Sequence, residues 1–226
     1  MKSKQNQGLL WLAESALMLA AATVLSEYVK ISMPFGGNVT VFGMVPILLI
    51  AYRHGMKKGA ITALCFGGIE LLFGLGNFSY VKTVPAVLAV ALLDYLLAFG
   101  AMALGGLFRN RFSREEGERR PQSMELALGA LLAGLVRFIC HFLSGATIWR
   151  EYADAEVFVF FPPLERFVAG FTGNTMVLVY SFCYNLLYML PETLLCMVAL
   201  AFLGGVINLQ NPQLRFSSRS AESLHN

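Results

Sequence analysis

The stretch RFICHFLSGATIW, residues 137–149, ends a long apolar segment that begins at Met124. A segment of about 20 apolar residues is long enough to cross a bilayer as a helix. Arg137 and His141 lie one helical turn apart within it. Ionisable groups at membrane depth are costly unless they face the protein interior or water, and they are functional candidates by default. The stretch therefore predicts a membrane-spanning helix with a functional face.

The composition of the whole chain is that of an integral membrane protein. Of the 226 residues, 57% are hydrophobic and only 14% are charged, and the mean hydropathy is +0.62. We predict an all-α membrane protein in which residues 1–226 form a single domain of six transmembrane helices. The predicted helices cover residues 9–25, 41–51, 59–74, 84–108, 124–149 and 176–207. The second and third are short, which leaves room for a tilted, broken or re-entrant segment.

The basic residues predict the orientation, because lysines and arginines near helix ends stay on the cytoplasmic side during insertion. On the six-helix count, twelve basic residues share one side and four share the other. Both termini are therefore expected in the cytoplasm, with a cytoplasmic loop at about residues 109–123 and a long external loop at about residues 150–175. The N-terminal segment could also pass for a cleavable signal peptide, but Glu14 interrupts its apolar stretch, which favours a first helix.

Several kinds of catalytic and metal site have no motif in this sequence. The four cysteines have no Cys-x-x-Cys spacing, and of the three histidines only His141 lies in a predicted span. Neither a His-Glu-x-x-His zinc motif nor a Gly-x-x-x-x-Gly-Lys-Ser/Thr phosphate loop occurs. We therefore expect no metal, no cofactor and no ATP hydrolysis by this chain itself.

Polar residues within the predicted spans are the functional candidates. They are Glu14, Glu70, Asp94, Arg137, His141, Asn185 and Glu192. Residues at four-residue intervals from Arg137 share one face of a helix; the others on this face are His141, Gly145 and Trp149. Gly145 has no side chain and leaves room on that face for a flat group. Glu14 and Glu70 lie near helix ends or loops, where we expect packing or partner roles rather than ligand contact.

Each candidate also has a purely structural interpretation. Arg137 could pair with Asp94 or Glu192 to hold the helices together, since buried ions are usually paired. His141 could be a hydrogen-bonded core residue, and Trp149 could anchor its helix at the membrane interface. A carboxylate, an imidazole, an amide and aromatic rings from three helices are nevertheless more than one structural ion pair needs.

These converging groups predict a class of ligand. Asp94 can neutralise a positive charge or accept from an exocyclic amine, and Asn185 and Tyr180 can bond to ring nitrogens. Trp149 can stack on a ring or make a cation–π contact. Such a pocket suits a small, flat, cationic heteroaromatic molecule.

Four segments carry a resemblance to a known family. They are GGNVTVFGMVPILLIAYRHG (36–55), ALLDYLLAFGAMALGGLF (91–108), RFICHFLSGATIWREYA (137–153) and YSFCYNLLYMLPE (180–192). The chain resembles the ThiT family, the thiamine-binding substrate-capture (S) components of energy-coupling factor transporters. The resemblance implies an S-component fold in the bacterial cell membrane that binds thiamine from outside. It also implies a partner module of one transmembrane coupling subunit and two cytoplasmic ATPases.

The resemblance implies roles for particular residues by position. The expected ligand-binding residues are Asp94, Tyr95, Arg137, His141, Gly145, Trp149, Tyr180 and Asn185. Arg137 is expected nearest the hydroxyethyl end of thiamine, where a carboxylate partner or the ligand hydroxyl would avoid repulsion of the cationic ring. Ala16 and Ala20 fall on the small-residue motif through which the family meets the coupling subunit. Their spacing alone is equally compatible with packing inside the chain.

The chain departs from the family pattern in places. It has only two tryptophans, so Phe78 or Tyr80 is expected to complete the stack around the ligand. Residues 151–176 form a longer connection than usual, which could be a lid or an inert insertion. Residues 32–43, with a proline and paired glycines, form the first external loop. We expect this loop to gate the site, since a ligand buried among helices needs an entrance.

Two other functions stay open from the sequence. One is an S-component for another vitamin or for a thiamine precursor such as the aminopyrimidine fragment. The other is an intramembrane hydrolase, because Asp94, His141 and Glu192 could perform acid–base chemistry. No nucleophile or metal spacing accompanies them, which disfavours the hydrolase.

Overall fold

Helices account for most of the computed structural model. It describes residues 2–32, 37–111, 122–207 and 209, with side chains from Gln7 onward. Most of the loop predicted at residues 109–123 lies outside the described residues, as do the basic residues that follow residue 209. The predicted location of both termini in the cytoplasm therefore stays a prediction.

The regular elements follow one another closely along the chain. They are α1 (Lys2–Tyr28), β1 (Lys30–Ser32), β2 (Asn38–Thr40), α2 (Val45–His54), α3 (Met56–Phe73), α4 (Val84–Val90), α5 (Ala98–Gly100), α6 (Gln122–Thr147), α7 (Pro162–Ala169) and α8 (Gly173–Val206). A 3₁₀ helix, Gly74–Tyr80, extends α3. A π-helix, Ala91–Leu97, joins α4 to α5, and a 3₁₀ helix, Ala101–Gly106, follows α5. We call Val84–Gly106 the α4–α5 segment.

Five helical stretches in the described part of the chain are long and apolar enough to cross a membrane. They are Gln7–Tyr28, Met56–Tyr80, Val84–Gly106, Gln122–Thr147 and Gly173–Val206. The second of the six predicted helices was expected to be short, and α2 has only 10 residues. At 1.5 Å per residue it reaches about 15 Å, half of a hydrocarbon core of about 30 Å. Helix α2 lies where the second span was predicted but is too short to cross alone.

The expectation of an all-α fold is also corrected, by a small β-hairpin. Strands β1 and β2 pair antiparallel, with Lys30 opposite Thr40 and Ser32 opposite Asn38. Extended backbone suits this stretch because Ile31, Val39 and Thr40 are β-branched. The hairpin begins two residues before the predicted external loop of residues 32–43 and overlaps it; residues 33–36 lie outside the described residues.

Small residues bring the longest helices close together. A Cβ atom added at Gly134 of α6 would overlap the Thr193 side chain of α8. A Cβ atom added at Gly204 of α8 would lie 2.7 Å from Leu126 of α6. Glycines at helix contacts let backbones approach closely, which is the usual basis of helix association in membranes. Helices α6 and α8 therefore pack along most of their length.

The α4–α5 segment packs between α2 and α6 in the same way. A Cβ atom added at Gly105 would lie 2.7 Å from the Leu48 side chain of α2, and one added at Gly129 of α6 would lie 2.7 Å from the Gly105 carbonyl oxygen. The buried core next to these contacts includes Ile47 and Met102. This packing holds the α4–α5 segment against α6, which positions the site described below.

Helix α1 has one face against the bundle and one exposed face. Glu14 binds Arg53 through two contacts of 2.6 and 2.8 Å and approaches His54 Nε2 at 2.6 Å. These contacts agree with the packing role expected for Glu14. Ala16 and Ala20 lie on the exposed face, so within the described chain they do not pack in the core.

The glycine at position 129 offers a test of the packing between α6 and the α4–α5 segment. Gly129→Ala is expected to destabilise the protein by about 1–3 kcal/mol, because the added methyl meets backbone atoms that must move. Gly68→Ala in α3 is the matched control, since a Cβ atom there meets nothing within 4 Å. Thermal unfolding in detergent measures both, and equal melting temperatures would contradict the packing described here.

Candidate functional site

A cavity of about 350 Å³ opens among the hairpin, α3, the α4–α5 segment, α6 and α8. This volume lies within the usual range of small-molecule sites, about 300–1,000 Å³. The structure brings together all eight residues predicted to bind ligand, because each of them lines this cavity: Asp94, Tyr95, Arg137, His141, Gly145, Trp149, Tyr180 and Asn185. Their role in binding stays a prediction.

The Asp94 carboxylate is the centre of a hydrogen-bond network in this cavity. Ser144 Oγ donates to Oδ2 at 2.7 Å, and Trp149 Nε1 donates to the same oxygen at 2.9 Å. His141 Nδ1 lies 3.2 Å from Oδ1. Asp94 therefore fixes the orientation of the indole and the imidazole, and Oδ1 keeps a lone pair for a further donor. The bond from Ser144 was not predicted from the sequence.

Asp94 and Tyr95 lie in the π-helix Ala91–Leu97. π-helical turns are rare and often occur at functional sites, because the wider turn changes the direction in which side chains project. The regular spacing expected of an α-helix does not apply here. Residue spacing alone could not have predicted the relation of Asp94 to its neighbours.

His141 has one nitrogen engaged and one free for a ligand. Its Nδ1 faces the Asp94 carboxylate, which only accepts hydrogen bonds, so the neutral ring has its acceptor at Nε2. Nε2 is buried and has no hydrogen-bond partner among the described residues. A buried polar atom without a partner costs free energy, which a bound donor would recover.

Arg137 and Glu192 form a buried ion pair. Arg137 NH1 lies 2.6 Å from Glu192 Oε2, and the two side chains are 7% and 1% exposed. The guanidinium also lies 4.7 Å from the centre of the Phe99 ring. Of the two partners considered for Arg137, the structure selects Glu192, since Asp94 bonds to other residues. This pairing removes the conflict between the guanidinium and a cationic ligand.

The same ion pair connects the hairpin to the helices. Thr40 of β2 donates its hydroxyl to the second carboxylate oxygen of Glu192. Close by, the Gly37 amide donates to the Tyr184 hydroxyl at 3.0 Å. The hairpin is thus tied to α8 at two points beside the cavity. The predicted gating by this loop stays a prediction.

Asn185 is bonded to other residues of α8. Its Nδ2 donates to the Ser181 carbonyl oxygen at 2.8 Å, and its Oδ1 accepts from the Tyr188 hydroxyl at 2.7 Å. Contact with a ligand would therefore share or replace these bonds. Tyr188 also lines the cavity but was not predicted to do so. Its position three residues after Asn185, on the same side of the helix, could have indicated this.

Gly145 lines the cavity for a different reason from the one expected. A Cβ atom added there would overlap Ser181 Oγ of α8. The space beside Gly145 is therefore filled by α8 rather than left for a flat group. Gly145 lets α6 approach α8, which brings His141 and Asn185 to the same cavity.

Aromatic side chains form two walls. Tyr95 stacks with Phe78 at 6.2 Å between ring centres and accepts from Asn77 Nδ2 at 3.2 Å. Tyr180 stacks with Tyr184 at 5.7 Å. Phe78, proposed to complete the stack around the ligand, thus supports Tyr95 from behind. Tyr80 instead packs edge-on against Tyr152 at 6.0 Å.

The long connection after α6 covers part of the tyrosine wall. Phe158 is 3% exposed, and its ring centre lies 5.6 Å from that of Tyr180. The connection contains α7 (Pro162–Ala169), so it is partly helical rather than an unstructured loop. Its packing agrees with either of the two roles considered, a lid or a fixed insertion.

Glu70 lines the cavity as well, although packing or a partner contact was the expected role. It lies in α3, in a stretch whose other residues are apolar or small. A lone carboxylate in an apolar span already indicated that Glu70 could face a cavity. Its position near the helix end favoured packing instead.

Comparison with known proteins agrees with the resemblance. Residues 12–161 match the model of a family described as Thiamine transporter protein (Thia_YuaJ). The chain is 29% identical over 203 residues to thiamine transporter ThiT of Bacillus subtilis, covering 88% of this chain and 92% of that protein. It is 24% identical over 153 residues to thiamine transporter ThiT of Lacticaseibacillus paracasei, covering 66% and 73%.

One solved structure supports the fold. ThiT from Listeria monocytogenes superposes with a TM-score of 0.63 at 21% identity, covering 88% of this chain and 94% of that one. At this identity the likeness concerns the arrangement of the helices alone. It agrees with the predicted S-component fold.

The ion pair of Arg137 and Glu192 can be tested through stability. Arg137→Met leaves the Glu192 carboxylate buried without its cation and is expected to destabilise the protein by about 3–5 kcal/mol. The double variant Arg137→Met with Glu192→Leu removes both charges and is expected to regain most of that loss. Thermal melting of ligand-free protein in detergent compares the variants. No recovery in the double variant would mean that the ion pair is not what stabilises this region.

Proposed function

We propose a function from one premise: the chain belongs to the thiamine transporter protein family. It is a multi-pass protein of the cell membrane. Its proposed role is to bind thiamine in the cavity described above and to take part in thiamine uptake. Within that role, it is the substrate-capture subunit of a transporter driven by a separate energy-coupling module.

The charge of the cavity is the observation that carries this proposal. Among the described residues, four carboxylates but only one lysine and one arginine line it: Glu27, Glu70, Asp94, Glu192, Lys30 and Arg137. The excess of carboxylates favours a cationic ligand, and the aromatic walls favour a flat one. Thiamine has both properties, since a thiazolium ring and an aminopyrimidine ring are joined in one small molecule.

In the proposed complex, different residues recognise different parts of thiamine. Oδ1 of Asp94 and Nε2 of His141 are acceptors suited to the exocyclic amine of the aminopyrimidine. Trp149 is held by its bond to Asp94 and offers an indole face for stacking on a ring. Arg137 is neutralised by Glu192, so it can approach the hydroxyethyl end without repelling the thiazolium.

Transport requires an energy source, and we propose that it is a module of a transmembrane coupling subunit and two cytoplasmic ATPases. Ala16 and Ala20 on the exposed face of α1 support this part of the proposal. Exposed small residues in a membrane helix allow another helix to approach closely.

Other functions receive less support from the geometry. An S-component for another vitamin or for an aminopyrimidine precursor would use the same cavity, and ligand titration separates these cases. A hydrolase would need a nucleophile that bonds to a base. Ser144 and His141 instead both bond to Asp94, which is an arrangement for holding a carboxylate in place.

Tryptophan fluorescence gives the first test of binding. Thiamine is expected to quench the fluorescence of the purified protein saturably, because Trp149 lines the cavity. Trp11 lies on α1 beside Lys58, so Trp11→Phe is the matched control and should keep the quenching, whereas Trp149→Phe should lose it. Quenching that disappears only in Trp11→Phe would place the ligand elsewhere.

Affinity measurements test the individual contacts. Trp149→Ala and Asp94→Asn are each expected to weaken thiamine binding at least about tenfold, roughly 1.4 kcal/mol, because they remove the stacking ring and the central carboxylate. Isothermal titration calorimetry measures both, with melting curves to verify folding. Unchanged affinity in both variants would exclude this cavity as the site.

The partner surface is tested by separating binding from uptake. Ala16→Trp combined with Ala20→Trp is expected to leave thiamine binding intact and to abolish uptake, since bulky side chains block close helix approach. Val198→Trp is the control, because Val198 is 70% exposed and lies on a different helix, α8. Loss of binding in the alanine variant would show that this face belongs to the core of the protein.

A further inference from the structure

Glu70 has an unusual environment for a carboxylate in a membrane-spanning helix. It lies on the wall of the cavity that α3 contributes. Its Oε1 atom is buried and has no hydrogen-bond partner among the described residues. The Glu70 side chain also forms no ion pair with any of the described residues.

The other three carboxylates of the cavity are satisfied. Lys30 lies 2.8 Å from Glu27, and Arg137 lies 2.6 Å from Glu192. Asp94 accepts from Ser144 and Trp149 and faces His141. Glu70 is therefore the carboxylate of this cavity whose charge no described side chain neutralises at contact distance.

The surroundings of Glu70 are fixed rather than loose. The Glu70 carbonyl oxygen accepts from the Gly74 amide at the end of α3. A Cβ atom at Gly74 would overlap the Tyr95 hydroxyl, so the end of α3 packs directly against the π-helix that carries Tyr95. Glu70 is thus held on the same side of the cavity as Tyr95.

The nearby charges do not replace a direct partner. Glu70 lies within electrostatic range of two acids, Glu27 and Glu192, and of two bases, Lys30 and Arg137. Each of these bases already contacts one of these acids, so the two pairs are close to neutral. Glu70 is therefore the carboxyl group at this wall that has no cation of its own among the described residues.

From these contacts we propose that Glu70 is the counter-ion of the positively charged ring of the ligand and selects cationic over neutral ligands. This inference rests on the proposed function of the cavity as a thiamine site. An unpaired carboxylate in an apolar bundle is costly, and a bound cation removes that cost. In this assignment two carboxylates have different tasks. Asp94 orients the polar ring through hydrogen bonds, whereas Glu70 neutralises the thiazolium.

The test compares thiamine with a neutral molecule of the same shape. The suitable probe is the analogue in which carbon replaces the charged ring nitrogen, so that a thiophene replaces the thiazolium. Isothermal titration calorimetry measures both ligands with wild type, Glu70→Gln and Glu70→Asp. Glu156→Gln is the control for loss of a carboxylate, because Glu156 is exposed and does not line the cavity.

Wild type is expected to prefer thiamine over the neutral analogue. Glu70→Gln should weaken thiamine binding about tenfold or more, as expected for loss of a charge contact in a partly desolvated site, while affinity for the neutral analogue stays within about twofold. Glu70→Asp should retain much of the preference, and Glu156→Gln should retain all of it. Ligand-free Glu70→Gln should melt no lower than wild type, because glutamine keeps the size of the side chain and cannot carry a charge in this partly desolvated place.

Other outcomes separate this inference from the proposed function. If Glu70→Gln weakens both ligands equally, or neither, Glu70 is not the counter-ion, and thiamine binding by the cavity still stands. If wild type binds the neutral analogue as tightly as thiamine, the site does not select for positive charge, and the role proposed for Glu70 is overturned. If folded, ligand-free wild type binds neither ligand, the proposed function fails together with the inference.

Discussion

The ion pair between Arg137 and Glu192 is the constraint on which the arrangement of the site depends. A guanidinium among apolar helices must be neutralised, and a single carboxylate on α8 does so at 2.6 Å. The same carboxylate binds Thr40, so one group joins α6, α8 and the hairpin. Because Glu192 neutralises Arg137, Asp94 is left to organise Ser144 and the aromatic side of the cavity.

Helix packing by small residues complements this electrostatic constraint. Gly145 lets α6 approach Ser181 of α8, and Gly129 lets α6 approach Gly105 of the α4–α5 segment. These close approaches surround a cavity of about 350 Å³ with polar groups from several helices. Charged groups are tolerated at this depth because they face the cavity or one another rather than lipid.

Much of the site could be predicted from the sequence, because helical spacing places Arg137, His141 and Trp149 on one face whatever the neighbouring helices are. Glu70 was missed, since its position near a helix end suggested packing and only the tertiary arrangement brings it to the cavity. The free space expected beside Gly145 is filled by Ser181, which could not be predicted because this neighbour comes from another helix. The short second helix could be predicted from the length of its apolar stretch, whereas the hairpin could not, because hydropathy records apolar length but not where the backbone turns.

An experimental structure of the protein with thiamine would show whether the ligand occupies this cavity. We expect one thiamine molecule within the cavity, with a ring against the Trp149 indole and the aminopyrimidine amine near Asp94. We also expect the Arg137–Glu192 ion pair to remain intact in the complex. Thiamine bound elsewhere, or a cavity that stays empty at saturating thiamine, would rule out this cavity as the binding site.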